Sequence, residues 1–306
     1  MHPHAASSDR VTLEDQSLRD GLQNERRLFS LDEKFEIVRL LAEAGVRRMQ
    51  IGSFVNPRKV PQMAETAELA RRVHAEWPQI QCSALVLNAQ GLDRAVVCGM
   101  RHLNLSVSLS ETHSRRNAGC GADEALAAMT ALVQRAVDQG IAVRAGMQCA
   151  FGCAEEGRIP EERVVAAARQ LTAAGAIELN LADTAGLAQP LQVGQLVAQV
   201  REAVPTAVLS LHLHDTGGLG LANMRAGYEA GIRLFDVCVG GLGGCPFVRG
   251  AVGNVAAEEA VRLFAGMGVA TGIDLSLLLK ATALYETLLG RNLPDARERS
   301  LTPTTG

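Results

Sequence analysis

Short apolar runs alternate with longer segments whose apolar residues recur every three or four positions, and the alternation repeats eight times. The short runs lie near 11–17, 46–54, 80–87, 101–108, 141–149, 176–182, 207–214 and 234–240. Helical segments lie near 31–44, 61–76, 89–99, 121–139, 158–174, 190–203, 219–231 and 254–267. In the first of these, Ser30 can cap the start, and Phe35, Val38, Leu41 and Ala42 recur at helical spacing. Gly45 then stops it. Gly99, Gly140, Gly175 and Gly231 punctuate later segments in the same way, each followed at once by a β run. Eight β-then-α units predict a closed TIM (β/α)8 barrel with helices outside. An open doubly wound sheet is the alternative, but no G-x-G-x-x-G follows the first strand. One more helix, Leu275 to Leu289, has no strand before it. The expected organisation is a catalytic barrel over 1–270, with a C-terminal helix and tail over 271–306 packed on it.

Such a barrel carries its chemistry at the C-terminal ends of the strands, and polar clusters fall there. Arg19, Asp20 and Gln23 follow the first run, Gln50, Ser53 and Asn56 the second, and Ser106 and Ser108 close the fourth. Asp183 and Thr184 close the sixth, and His212 and His214 the seventh. A strand repeats its faces every two residues, so the two imidazoles point one way and Leu209, Leu211 and Leu213 the other. With Asp20 and the Asn254 carbonyl they make a four-ligand set of mixed oxygen and nitrogen donors. No thiolate is needed, which favours Mg²⁺ or Mn²⁺ over structural zinc. Asn254 is read as the start of the next helix.

Cysteine divides into two kinds. Cys82, Cys98 and Cys238 sit inside apolar runs and read as small core residues. Cys245 instead lies among Gly240, Gly241, Gly243 and Gly244, where no core is being filled. A thiol on a flexible loop over a metal site suggests an acid that protonates a carbanion. Arg19 can supply positive charge to a developing enolate or carbonyl oxygen.

Composition narrows the partners. A net charge of −3 and 3% aromatics over 306 residues argue against nucleic acid. No uncharged run approaches a membrane span, and the polar N-terminus lacks an apolar signal core. Seven cysteines without paired spacing are those of a reduced, cytoplasmic protein.

Four stretches then carry a likeness. R-D-G-L-Q-N-E (19–25), S-F-V-N-P-R-K-V-P-Q-M (53–63), H-D-T-G-G-L-G-L-A-N (214–223) and G-L-G-G-C-P (241–246) resemble the 3-hydroxy-3-methylglutaryl-CoA lyase family. The resemblance implies a divalent cation held by Asp20, His212, His214 and Asn254, an electrophilic Arg19 and a catalytic Cys245. It implies a retro-Claisen cleavage of an acyl-CoA thioester, with His212 as base, to acetyl-CoA and a ketone or keto acid. Gln23, Ser53, Asn117, Gly243 and Gly244 are the implied substrate contacts. Asn117 follows Glu111, Arg115 and Arg116 in a segment that is either a CoA phosphate site or a solvated turn. Arg144 and Asp183 either meet the substrate region or pair with each other at the barrel mouth. Glu258 is read as serving a helix dipole. A homo-oligomer, dimer or tetramer, is expected.

Three departures qualify the match. Gln50 stands where the family usually has Glu, Asp15-Gln16-Ser17-Leu18 where it has E-V-G-P, and Val252 where it has Ser. All three lie near the mouth, so the acyl group is open among 3-hydroxy-3-methylglutaryl-CoA, citramalyl-CoA and a longer 3-hydroxyglutaryl-CoA. A Claisen-condensing synthase, a CoA-independent aldolase and a non-catalytic binding barrel are the rival readings. The synthases carry a long C-terminal extension and lack the G-G-C-P loop, which this chain has.

Overall fold

The structure, a computed structural model, describes residues 9–243 and 253–293. Eight strands close a parallel barrel in chain order: β1 (Thr12–Asp15), β2 (Arg48–Ser53), β3 (Gln81–Val86), β4 (His102–Ser108), β5 (Ala142–Gln148), β6 (Glu178–Asp183), β7 (Val208–Leu213) and β8 (Leu234–Val237). β8 pairs back onto β1, with Thr12 opposite Leu234 and Asp15 opposite Val237. Around the barrel lie α1 (Leu31–Glu43), α2 (Thr66–Glu76), α3 (Ala89–Val97), α4 (Glu111–Ala118), α5 (Ala122–Asp138), α6 (Glu161–Ala173), α7 (Pro190–Ala203), α8 (Gly220–Glu229) and α9 (Ala257–Gly266). The last helix is α10 (Leu275–Leu289). None of the described helices is long and apolar enough to cross a membrane.

Local chemistry explains most boundaries. Ser30 and Glu33 form a reciprocal capping box at the start of α1. Gly45 and Gly175, at φ +96° and +100°, turn the chain out of a helix into the next strand. Strand residues facing the helices, such as Leu179, Leu181, Leu209 and Leu211, are buried in the main core.

Four elements differ from the sequence expectation. The segment S-E-T-H-S-R-R-N forms the helix α4, not a turn. Ser110 accepts from His113 N, Glu111 pairs with Arg115 one turn on, and Gly119 ends it at φ +81°. Residues 61–63 form a separate 3₁₀ turn, so α2 begins at Thr66. β1 stops at Asp15, and a single π-turn, Ser17–Gly21, carries Arg19 and Asp20. Asn254 does not start a helix. It bridges His214 in an antiparallel pair, and α9 begins at Ala257.

The barrel interior is charged where such barrels are usually apolar. Arg144 on β5 lies 2.6 Å from Asp236, 2.9 Å from Glu178 and 3.1 Å from Glu14. Arg48 joins them, 2.7 Å from Glu14 and 2.9 Å from Glu178. Buried charges persist only when paired, and here five strands contribute partners. On the outside, α10 packs along α1: Asp274 N donates to Ala44 O, and the Tyr285 ring meets Phe29, just before α1, at 6.1 Å in a tilted pair.

Candidate active site and metal centre

The π-turn after β1 and the end of β7 bring Asp20 to the two histidines. His212 and His214, two apart on one strand face, hold their Nε2 atoms 3.1 Å apart. Asp20 Oδ2 lies 3.7 Å from His214 Nε2, and one ligand atom from each of the three residues falls within 4.8 Å of the others. Asn254 closes the group by donating from Nδ2 to Asp20 Oδ2 at 2.7 Å.

The donor set fits a divalent cation on two counts. His212 Nδ1 lies 3.1 Å from Asp236 Oδ2, so the ring proton belongs on Nδ1 and Nε2 presents a lone pair. It presents that lone pair to a second imidazole nitrogen, an arrangement that an intervening cation relieves. Asn254 Oδ1, moreover, is buried with no partner among the described residues, and rotation of the amide exchanges its two ends. Asp20 is in the right charge state. Burial opposes its ionisation, but the Arg19 guanidinium, then His214 and His212, outweigh that and hold the carboxyl well below the usual range.

Arg19 is fixed on three sides. It donates to Asp20 Oδ1 at 2.5 Å, to Gln16 Oε1 at 3.2 Å and, through Nε, to Gln50 Oε1. Gln50 is fully buried and its Nε2 has no partner among the described residues. Gly243 closes over the cluster at φ +95°. A Cβ there would come within 2.5 Å of Asn254 Nδ2 and 3.0 Å of Asp20 Oδ2, so only glycine fits. Of these groups, Arg19, Asp20, His212, His214 and Asp236 border a cavity of about 210 Å³ at the barrel mouth.

The other expected contacts divide. Gln23 and Asn117 line the cavity, Asn117 from α4 with Nδ2 3.4 Å from Gln148 Oε1. Ser53 does not. It borders a separate groove between α2 and α3, beside Met63 and Arg94. Asp183 faces neither the cavity nor Arg144. Its two oxygens accept from Leu187 N and Ala188 N and so hold the loop after β6, and burial pushes its carboxyl above the ordinary range. Arg144 lies buried among the three acids of the interior, away from the mouth. Gly244 and Cys245 fall outside the described residues.

Sequence reasoning missed Asp236, which joins Arg144 to His212 through its two oxygens. It also missed Asn104 and Asn180, which with the expected Ser106 make a polar wall of the cavity. The usable signal was the two-residue period: each is a polar residue at an inward position of an otherwise apolar run. Glu258, expected to serve a helix dipole, is buried instead and accepts from Gly240 N at 2.9 Å and from Thr282 Oγ1.

Fold and site define a (β/α)8-barrel enzyme with its chemistry at the strand C-termini, around a candidate divalent-cation centre. The chain belongs to the HMGL-like family, whose model matches residues 10–284. Among curated relatives, an (R)-citramalyl-CoA lyase of Chloroflexus aurantiacus is 40% identical over 293 residues, covering 93% of this chain and 92% of that one. A hydroxymethylglutaryl-CoA lyase of Pseudomonas mevalonii is 38% identical, covering 89% of this chain and 90% of that one. Among solved structures, an HMG-CoA lyase from Acinetobacter baumannii in complex with coenzyme A and 3-methylmalate superposes with a TM-score of 0.90 at 34% identity. That match covers 98% of both chains. The chain is accordingly a carbon–carbon lyase of this family.

Proposed function

We propose that the chain cleaves a branched 3-hydroxyacyl-CoA thioester bearing a second carboxylate, citramalyl-CoA or 3-hydroxy-3-methylglutaryl-CoA, to acetyl-CoA and a keto acid. The observation that carries the reading is the convergence of Asp20, His212 and His214 at the mouth of a polar cavity, with their ligand atoms within 4.8 Å. The 40% identity to a citramalyl-CoA lyase over nearly the whole chain and the coenzyme A in a relative's structure support the choice of substrate class.

Asp20, His212, His214 and Asn254 would hold Mg²⁺ or Mn²⁺, which supplies Lewis-acid polarisation of the substrate's tertiary hydroxyl and neighbouring carbonyl. Asp236 engages His212 Nδ1, so only Nε2 is left to hold the cation or take the hydroxyl proton. The 3.1 Å approach of His214 Nε2 favours the cation. His212 is therefore read as a ligand before a base, and the carbinol proton would pass to water at the cavity mouth as the hydroxyl ionises and its oxygen becomes the carbonyl of the keto acid. When the bond between the carbinol carbon and the thioester's α-carbon breaks, the electron pair stays with the acyl-CoA fragment as an enolate. Arg19, already oriented by Gln50 and Gln16, faces the cavity and stabilises that negative charge. Gly243 itself lies against Asp20, and the glycine-rich sequence that follows it is read, from the resemblance, as the part that shields the enolate from bulk water. Cys245, as expected from the resemblance, would return the proton at carbon.

The test is a panel of 3-hydroxyacyl-CoA thioesters incubated with the purified chain and Mg²⁺ or Mn²⁺, following acyl-CoA release. Acetyl-CoA and an equivalent of keto acid from citramalyl-CoA or 3-hydroxy-3-methylglutaryl-CoA are the expected products. Cleavage of free hydroxy acids, with thioesters untouched, would overturn the reading in favour of an aldolase.

A further inference from the structure

Below the candidate cation site, beside Asp236, whose two oxygens are taken by Arg144 and His212, the cavity wall carries a row of uncharged hydrogen-bonding side chains. Ser106, Gly146 and Asn180 stand in register on β4, β5 and β6, and Asn104 lies one inward position below Ser106. Asn180 pairs with Ser210, two residues before His212 on β7, so the row sits beneath the histidines. Asn104, Ser106 and Asn180 all border the cavity.

The absence of a side chain at Gly146 makes the room. A Cβ there would fall 2.7 Å from Ser106 Oγ and 3.1 Å from Asn104 Oδ1. Asn104 is 5% exposed, and its Oδ1 has no partner among the described residues. A buried amide with an unmet hydrogen bond costs stability unless something satisfies it. The guanidiniums of the layer below are already committed, Arg144 to Asp236, Glu178 and Glu14, and Arg48 to Glu14 and Glu178. A ligand reaching this depth is therefore met by amides and a hydroxyl, not by a free cation.

We propose that Asn104, Ser106 and Asn180 form the specificity subsite for the carboxylate-bearing branch of the acyl group, holding it with neutral donors while the carbinol oxygen lies above at the cation site. Asn180 Nδ2 gives one proton to Ser210 Oγ and keeps the second for a ligand, the Ser106 hydroxyl turns from Gly146 O, and rotation of Asn104 presents its N–H₂ to a carboxylate. An alkyl branch of equal size leaves the Asn104 amide unpaired and is rejected, as sites built to hydrogen-bond reject apolar analogues. This assignment rests on the lyase reading above and adds the part of the substrate that the wall selects.

The test uses binding, so that it stands apart from turnover. Pyruvate, acetoacetate and butanone are titrated by calorimetry into the Mn²⁺-loaded chain and into Asn104→Leu and Ser106→Ala variants. The expected result is that a keto acid binds at least about tenfold more tightly than butanone. Each variant should weaken keto-acid binding about tenfold or more and leave butanone and Mn²⁺ affinity unchanged. The tighter of the two keto acids then reports the length of the branch. Ser106→Ala is the conservative change, and it carries the test if Asn104→Leu fails to fold. Equal keto-acid affinity in wild type and a folded variant overturns the subsite, as does equal binding of keto acids and butanone by wild type. A chain that shows the expected binding but cleaves no thioester loses the proposed activity and keeps the subsite.

Discussion

Asp236 gives one carboxylate oxygen to Arg144 at 2.6 Å and the other to His212 Nδ1 at 3.1 Å. Burial would raise its carboxyl, but Arg144 and then His212 outweigh that and keep it below the ordinary range. It is thus a fixed anion that holds the imidazole in one tautomer and one orientation. Asp236→Asn keeps the shape and removes the charge, and should weaken Mn²⁺ binding about 10–100-fold, the usual worth of such a partner. A Mn²⁺ titration followed by electron paramagnetic resonance reads this directly, and an unchanged affinity would remove Asp236 from the account. At this scale the histidine pair was legible because alternation on a strand is a strong, local signal. Asp236 was not, since one acid inside L-F-D-V-C-V says nothing of which strand faces it. Ser53 was grouped with Gln50 as a neighbour in sequence, although three residues along a strand separate opposite faces, and it borders the groove between α2 and α3 instead.

Among the elements, the end of β1 carries a feature sensitive to pH. Asp15 is buried and accepts from Ser17 N at 3.0 Å and Ser17 Oγ at 2.7 Å, yet burial raises its pKa to about 7. An unfolded chain would place it near ~3.9, so between those values the folded state binds the extra proton. Stability should therefore rise as pH falls from 8 toward 5, with a slope from this group approaching about 1.4 kcal/mol per pH unit. Above pH 7 the contribution is lost. Urea denaturation of wild type and Asp15→Asn across that range isolates it. The wild-type curve should fall with rising pH relative to the variant, and parallel curves would contradict the assignment. The elements themselves were largely readable from apolar periodicity and terminal glycines. The exception is α4, whose eight residues E-T-H-S-R-R-N-A lack an apolar stripe and are held by an N-cap and an ion pair. Helix 61–76 was read too long because Pro61 opens a 3₁₀ turn of its own.

Across the whole molecule, closure of β8 onto β1 is what joins Asp20 to His212 and His214, residues almost two hundred positions apart. The sequence carried the barrel through its eightfold alternation, and it carried Asp20, His212 and His214 as members of polar clusters at strand ends, with Asn254 named as a ligand but placed at a helix start that the structure does not have. It did not carry the charged interior, because the pairing of Arg48 and Arg144 with Glu14, Glu178 and Asp236 depends on which strands are neighbours after closure. The same closure stacks the polar wall below the cation site, and Glu258 joins Gly240 to Thr282 of α10. The central claim is that these distant residues share one cation on which cleavage depends. The direct measurement strips the chain of metal with a chelator, then adds Mn²⁺ back while recording both bound metal and acetyl-CoA release from citramalyl-CoA or 3-hydroxy-3-methylglutaryl-CoA. The account predicts no release from the stripped chain and recovery that saturates at one bound Mn²⁺ per chain, with neither in Asp20→Asn. Full release from the stripped chain, or undiminished binding and release in Asp20→Asn, would contradict it.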